Sequence, residues 1–274
     1  MAIWFFTYGD KKFEKSKLRI EKEAEESGFF HKITLFGPED IDEAFLENTR
    51  PYISCERGGG YWLWKPYFIK QVFSQMKEDD CCVYLDAGFT INKKGKKRFF
   101  EYIKMLENSE SGLLVFHLGE HGWLENHWTN EATLKYFDCG IAIRNSPQIL
   151  TGAIMFKKTK ISCKVIDEFY NTALLRPDLF SDQYHDYQNP SFKEHRHDQS
   201  IFSILAKKHN ALQLQDELEP RPPHDWILLN QKGKIKPQYE LWPFLGTRLL
   251  DSKLKKRGFW LTKICQYLTK NGRC

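Results

Sequence analysis

Short apolar runs alternate with helix-periodic segments along most of this chain. That alternation restricts the fold more than any other property of the sequence. Ile3–Tyr8 is an apolar run ended by Gly9 and Asp10 and reads as a buried strand. Residues 11–27 are charged and helix-favouring and stop at Gly28, which suits a C′ position. Lys32–Phe36 reads as a second strand, and 39–47 as a helix with acids in its first turn. Phe68, Ile69, Val72, Phe73 and Met76 follow helical spacing, so a helix is expected from Pro66, at its N1 position, to about Met76. Further strands are expected at 82–85, 113–118 and 152–156. Helices are expected around 99–106, 161–175 and 199–208, with a long polar loop over 176–194. Beyond Gln215 the alternation ends. Strands separated by helices imply an α/β fold with a mainly parallel sheet covered on both faces. Such sheets bind ligands beyond the carboxyl ends of their strands. The loops Thr7-Tyr8-Gly9-Asp10 and Asp86-Ala87-Gly88 should therefore face one crevice.

The 274 residues suffice for one large α/β domain, expected at 1–247. The net charge of +5 is unevenly placed. Residues 248–274 hold eight basic side chains against the single acid Asp251, which leaves the rest of the chain slightly acidic. A basic tail on a nearly neutral body argues against nucleic-acid binding, which needs positive charge on the folded face. Within the tail, Phe259, Trp260, Ile264 and Leu268 recur at helical spacing, which suits either peripheral contact with an anionic membrane surface or packing of these side chains back on the domain with the charges solvated. The seven cysteines form no C-x-x-C pair, and Cys81-Cys82 lies in an apolar run. Reduced thiols of a cytoplasmic protein are the expectation. The N-terminus reads as a first strand and not as a signal peptide, and no run approaches the ~20 apolar residues that span a bilayer. No P-loop, G-x-G-x-x-G, G-x-S-x-G or H-E-x-x-H motif is present.

The segments with chemical content are few. Val83-Tyr84-Leu85-Asp86 ends an apolar strand on a lone carboxylate, a place suited to a divalent cation and a diphosphate. The same Asp also suits a turn before Gly88. Ahead of it, Gly58-Gly59-Gly60-Tyr61-Trp62-Leu63-Trp64-Lys65 combines glycine backbone, flat aromatics and a cation. With Arg57 it suits a pyrophosphate-binding loop, although both tryptophans would equally serve a core. His195-Arg196-His197-Asp198-Gln199 follows the long loop at a helix start. Asp198 there is either an N-cap or a base or charge stabiliser, and the histidines suit a surface as well as a site. Thr151-Gly152 offers small residues beside them. His224 is a candidate second metal ligand.

Taken together and in this order, Gly59–Pro66, Tyr84–Gly88 and His195–Phe202 resemble motifs of small GT-A-fold (Rossmann-like) glycosyltransferases, which occur in bacterial capsule and lipopolysaccharide clusters and in large DNA viruses. The resemblance runs from about residue 3 to about residue 250. It implies a nucleotide-diphospho-sugar donor, a glycan or glycolipid acceptor, and a divalent cation, Mn²⁺ or Mg²⁺. It places Asp86 at the first position of an Asp-x-Asp motif whose third position is here Gly88, so the metal would be held by Asp86 with His224 or water. Thr7, Tyr8, Arg57, Trp64, Lys65, Asp86, Ala87 and Gly88 would hold the donor. Asp198 and Gln199 would lie near the anomeric carbon, as in retaining enzymes. The transferred group would be a hexose, deoxyhexose or pentose. A non-catalytic nucleotide-sugar or glycan-binding protein on the same fold is the alternative, and a nucleotidyltransferase a weaker one.

Overall fold

The computed structural model describes residues 1–184, 187–218 and 241–247. His224 and the basic segment 248–274 lie outside the described residues.

Among the described residues, eight strands form two sheets: β1 (Ile3–Tyr8), β2 (Lys32–Phe36), β3 (Cys81–Leu85), β4 (Thr90–Ile91), β5 (Leu113–His117), β6 (Ile149–Lys157), β7 (Leu212–Gln215) and β8 (Phe244–Leu245). The main sheet has the order β2-β1-β3-β6-β5-β7, and β4 pairs with β8 as a small second sheet. In the main sheet the strands run parallel except β6, which is antiparallel to both β3 and β5. The expected mainly parallel α/β architecture is therefore present.

The helices are α1 (Glu14–Ser27), α2 (Glu43–Ile53), α3 (Gly58–Tyr61), α4 (Trp64–Gln75), α5 (Lys96–Glu107), α6 (Glu125–Trp128), α7 (Glu131–Tyr136), α8 (Ile141–Arg144), α9 (Lys160–Leu175) and α10 (Asp198–Lys208). They cover both faces, and the strands show why. Successive strand residues point to opposite sides. Phe6, Tyr8, Cys82 and Tyr84 enter a core with residues of α4, α9 and α10. Ile3, Phe5, Val83 and Leu85 enter the other core, with Ile20 and Ala24 of α1 and Phe99, Tyr102 and Ile103 of α5. Both faces of β3 are thus apolar, and all five of its residues are buried.

Several expected boundaries move, each for a local reason. The helix expected at 39–47 becomes a 3₁₀ turn at Pro38–Asp40 followed by α2, because the Asp42 carboxylate accepts from Phe45 N at 2.7 Å and starts the helix there. Pro66 sits in the third position of α4 instead of the first, where its missing N–H still costs no helical bond. Gly28 takes the expected left-handed C-terminal position, with φ 65°. The strand expected at 152–156 is longer in both directions as β6.

Strand β6 does most to assemble the crevice. Its antiparallel register sets Leu85 opposite Ala153, so the chain leaving β3 runs beside Gly152 and Asp86 N donates to Gly152 O at 2.8 Å. Helix α10 packs on β6, and Ser203 Oγ accepts from Ile149 N at 2.8 Å. Three separate segments, around residues 86, 151 and 198, therefore meet at one end of the sheet.

Candidate active site

A cavity of about 570 Å³ opens at that end. The loop after β1 (Tyr8, Gly9, Asp10) and the loop after β3 (Asp86 to Phe89) form two walls, as their strand-terminal positions predict. Thr151-Gly152, the glycine turn before α4 and the start of α10 complete it.

Lys65 is the centre of the floor. It is 2% exposed, and its Nζ lies 2.6 Å from Asp198 Oδ2, 3.4 Å from Asp86 Oδ1 and 3.3 Å from Thr151 O. Burial works against its charge, but the fields of Asp198 and Asp86 more than offset this and its pKa is raised. Thr151 Oγ1 donates to Asp198 Oδ2 at 2.9 Å, and the Tyr84 hydroxyl donates to Asp86 Oδ1. Lys65 is therefore first the counter-ion of two carboxylates and not a free cation waiting for phosphate. Gly152 is small for a related reason: a Cβ there would stand 3.1 Å from Asp86 Oδ2 and 3.0 Å from the Phe89 ring. A side chain at this position would crowd the carboxylate and the ring.

The segment ahead of Lys65, α3 with Trp62, is a left-handed turn and not a regular helix. Gly58, Gly59, Gly60, Tyr61 and Trp62 all have positive φ, from 52° to 96°. This conformation is unfavourable for L-residues, and Tyr61 and Trp62 are held in it by the turn. Gly59 N and Gly60 N donate to Glu56 O and Cys55 O within the turn, so these amides do not point at a ligand. What the turn delivers is aromatic surface. Trp64 Nε1 donates to Gly58 O at 2.9 Å, and the Trp64 ring stacks on Tyr8 with centroids 3.9 Å apart. Trp62 stacks on His197 at 5.0 Å. Trp64 is thus buried yet lines the cavity, and so belongs to the core and the site together.

At the start of α10 the chain is again strained, with His197 at φ 54°, ψ −122°. His197 Nδ1 lies 2.7 Å from Phe180 O, and burial lowers its pKa. His195 is fully buried, with Nε2 2.8 Å from Leu179 O and Nδ1 accepting from Asn130 N at 3.2 Å. Burial pushes its pKa down to about 3. Neither histidine is a surface residue. The Asp198 side chain turns to Lys65 and Thr151 and is no N-cap. Gln199 Nε2 donates to Gln148 Oε1 at 2.6 Å, and its Oε1 accepts from Thr151 N at 3.4 Å.

Of the remaining sequence candidates, Arg57 stands at the cavity mouth, 43% exposed, paired with Glu194 and with Asp182 at 3.4 Å. Ala87 and Gly88 line the wall, and Arg19 braces that loop through Ala87 O (3.0 Å) and Phe89 O (2.8 Å). Thr7 does not reach the cavity: it is fully buried and its Oγ1 donates to Leu85 O at 2.7 Å, tying β1 to β3. Among the described residues no group of three or more His, Cys, Asp or Glu could hold a metal. Asp86 alone fits a cation that takes most of its ligands from phosphate and water, as Mg²⁺ does. Glu125 and Gln148 carried no role in the sequence, and their signal is spatial, because nothing in local spacing connects them to Asp198 or Gln199.

No known sequence family matches the chain, and no curated protein matches it by sequence. Solved structures do. It is similar to a glycosyltransferase involved in the glycosylation of the major capsid of PBCV-1, with 12% identity, a TM-score of 0.46, and 89% of this chain and 92% of that one covered. It is also similar to mouse xyloside xylosyltransferase 1, with 12% identity, a TM-score of 0.43, and coverages of 82% and 89%. A third is the galactosyltransferase LgtC in complex with donor and acceptor sugar analogs, with 10% identity, a TM-score of 0.40, and coverages of 80% and 76%. All three of those proteins are transferases of sugars.

Proposed function

We propose that this protein is a glycosyltransferase that moves a sugar from a nucleotide-diphosphate donor to a glycan or glycolipid acceptor. One observation carries the reading: a charged Lys65, buried and bridging Asp86 and Asp198, at the floor of a cavity at the strand ends. Breaking a glycosidic bond to a diphosphate develops positive charge at the anomeric carbon and negative charge on the leaving group. A useful site offers fixed charges of both signs a few ångströms apart. Here Asp198 and the Gln199 carbonyl face the first. Arg57, Arg196 and Lys12, all on the cavity wall, meet the second. The stacked Tyr8–Trp64 pair gives flat apolar surface for the nucleoside or sugar faces. Asp86 would hold a divalent cation, which when bound supplies Lewis-acid stabilisation of the departing diphosphate. Reaction with retention of configuration, at Asp198 and Gln199, is part of the proposal. So is contact of 248–274 with anionic lipid, read out by co-sedimentation with vesicles. No described helix is long and apolar enough to cross a membrane.

The test is a thermal-shift panel of nucleoside diphosphates and their sugars with and without Mn²⁺, followed by analysis of the products. A ligand at 100 times its Kd adds about 2.7 kcal/mol of stability. Release of a nucleoside diphosphate is expected. Pyrophosphate release would make it a nucleotidyltransferase, and tight binding without turnover a binding protein. If no nucleoside diphosphate or nucleotide sugar shifts the melting curve, the reading fails.

A further inference from the structure

We infer that Glu125 and Gln148, which lie behind the cavity wall, are positioning residues that fix which way the Gln199 side-chain amide faces. The inference rests on the sugar-transfer reading for its catalytic consequence, but the geometry stands by itself.

Glu125 is fully buried at the start of α6. Lys207 of α10 neutralises it, with Nζ 2.6 Å from Oε1. The Ser203 hydroxyl donates to the same oxygen, and Thr129 Oγ1 donates to Oε2 at 2.6 Å. An ionised carboxylate only accepts. Gln148, also fully buried, directs its Nε2 at this group: 3.4 Å to Glu125 Oε2, 3.3 Å to Trp128 O and 3.3 Å to Thr129 Oγ1. Ser200 Oγ lies 3.4 Å away, its own proton given to Trp128 O. Every group around that end of Gln148 presents a lone pair, so the amide must place its NH₂ there. Its Oε1 then faces the opposite way, where Gln199 Nε2 donates at 2.6 Å. An amide has one donating and one accepting end. Gln199 is therefore left with its carbonyl toward Thr151 N, on the cavity side.

Reversing Gln199 alone would set carbonyl against carbonyl at Gln148 and N–H against N–H at Thr151. Reversing both glutamines would aim the Gln148 carbonyl at a buried carboxylate. The charge of Glu125 thus reaches the cavity as a fixed amide dipole. Its negative end lies beside Asp198, where positive charge would develop on a sugar. Ser200, Ser203 and Lys207 sit on the same helix as Gln199, so α10 carries both ends of the relay.

Three variants separate this role from a structural one. Gln148→Met removes the relay without touching the Glu125–Lys207 pair. Glu125→Gln removes the charge that most strongly holds the Gln148 NH₂ in place, and so weakens the preference of both amides for their present orientation. The exchange Glu125→Gln/Gln148→Glu keeps the number of charges and restores an acceptor facing Gln199. Two readouts are taken on the full chain. In ¹⁵N NMR, the Gln199 side-chain amide protons, assigned by their loss in Gln199→Glu, are expected to move and to exchange faster in Gln148→Met and Glu125→Gln. The exchanged variant should return them toward their wild-type positions. In kinetics, kcat is expected to fall about 10- to 100-fold in the first two variants with the donor KM unchanged, and to recover in the third. Unmoved Gln199 amide signals overturn the inference whether or not the protein turns over. So does a kcat within about threefold of wild type in Gln148→Met, or a loss that the exchange does not relieve. A wild-type protein that consumes no nucleotide sugar, with the NMR result as expected, would instead sink the sugar-transfer reading and leave the amide relay standing.

Discussion

Lys65 keeps its charge while almost fully buried because Asp198 and Asp86 supply the field that water no longer does. This arrangement sets unequal expectations for its neighbours. Lys65→Met leaves Asp198, whose side chain is 5% exposed, without its nearest cation. Removing one partner of a buried pair costs about 3–5 kcal/mol. Lys65→Met/Asp198→Asn removes both charges and should recover most of the lost melting temperature. It should not recover transfer, because loss of a carboxylate at the reaction centre costs roughly 10²–10⁴ in rate. Thermal denaturation and initial rates on the two variants decide this. A double variant as active as wild type would reduce Asp198 to a structural counter-ion. At this scale the sequence was informative about which residues reach the cavity and silent about partnership. Lys65, Asp86, Asp198 and Gln199 were legible because each ends or begins an element at the sheet's open edge. That Lys65 bridges the carboxylates was not, since three distant segments must fold before they meet.

The left-handed turn ahead of α4 and the start of α10 are both strained, and they touch through the Trp62–His197 stack. Strained backbone persists only where its surroundings hold it, and here both strained segments line the cavity. The glycines of the turn are not equivalent. At Gly60, φ is 96° and a Cβ would lie 2.5 Å from Ile53 O and 2.7 Å from its Cα, both backbone atoms that cannot move aside. At Gly59, φ is 60° and the nearest atom to a Cβ is 3.7 Å away. Gly59→Ala should therefore cost only about 1–2 kcal/mol, the ordinary penalty of that region for an L-residue. Gly60→Ala should cost more, displace Trp62 and Trp64, and lower nucleoside diphosphate affinity as well as the melting temperature. Equal losses in the two variants would show that conformation alone, and not contact with Ile53, selects glycine. The run of three glycines was visible in the sequence, but its use was not. Glycine spacing suggested amides aimed at phosphate, whereas Gly59 and Gly60 use theirs inside the turn. The long strand β6 was likewise visible as an apolar run, while its antiparallel direction was not. Periodicity reports burial on both faces and carries no sign of chain direction.

Across the whole molecule, alternation of strands and helices was enough to anticipate the two-faced sheet and the crevice at its carboxyl edge. The layer of buried polar groups behind the crevice was not anticipated, because histidine, glutamate and glutamine look like surface residues until their partners are known. His195 shows what this means for stability as a function of pH. It is neutral in the fold, its pKa pushed down from 6.5 to about 3 by burial first and by the neighbouring His197 and Arg57 after that. Between those two values the unfolded chain binds a proton at this position that the folded protein excludes. Stability therefore falls as pH drops from about 6.5 toward 3, by up to about 1.4 kcal/mol for each pH unit. His197, also lowered by burial, acts in the same direction. His195→Gln retains an acceptor for Asn130 N and a donor for Leu179 O but cannot titrate. Its melting temperature should fall less steeply than that of the wild type between about pH 6.5 and pH 4.5, with the remaining slope owed to His197 and to carboxylates. Parallel curves for the two proteins would show that His195 reaches solvent and takes up its proton without unfolding the segment around α10.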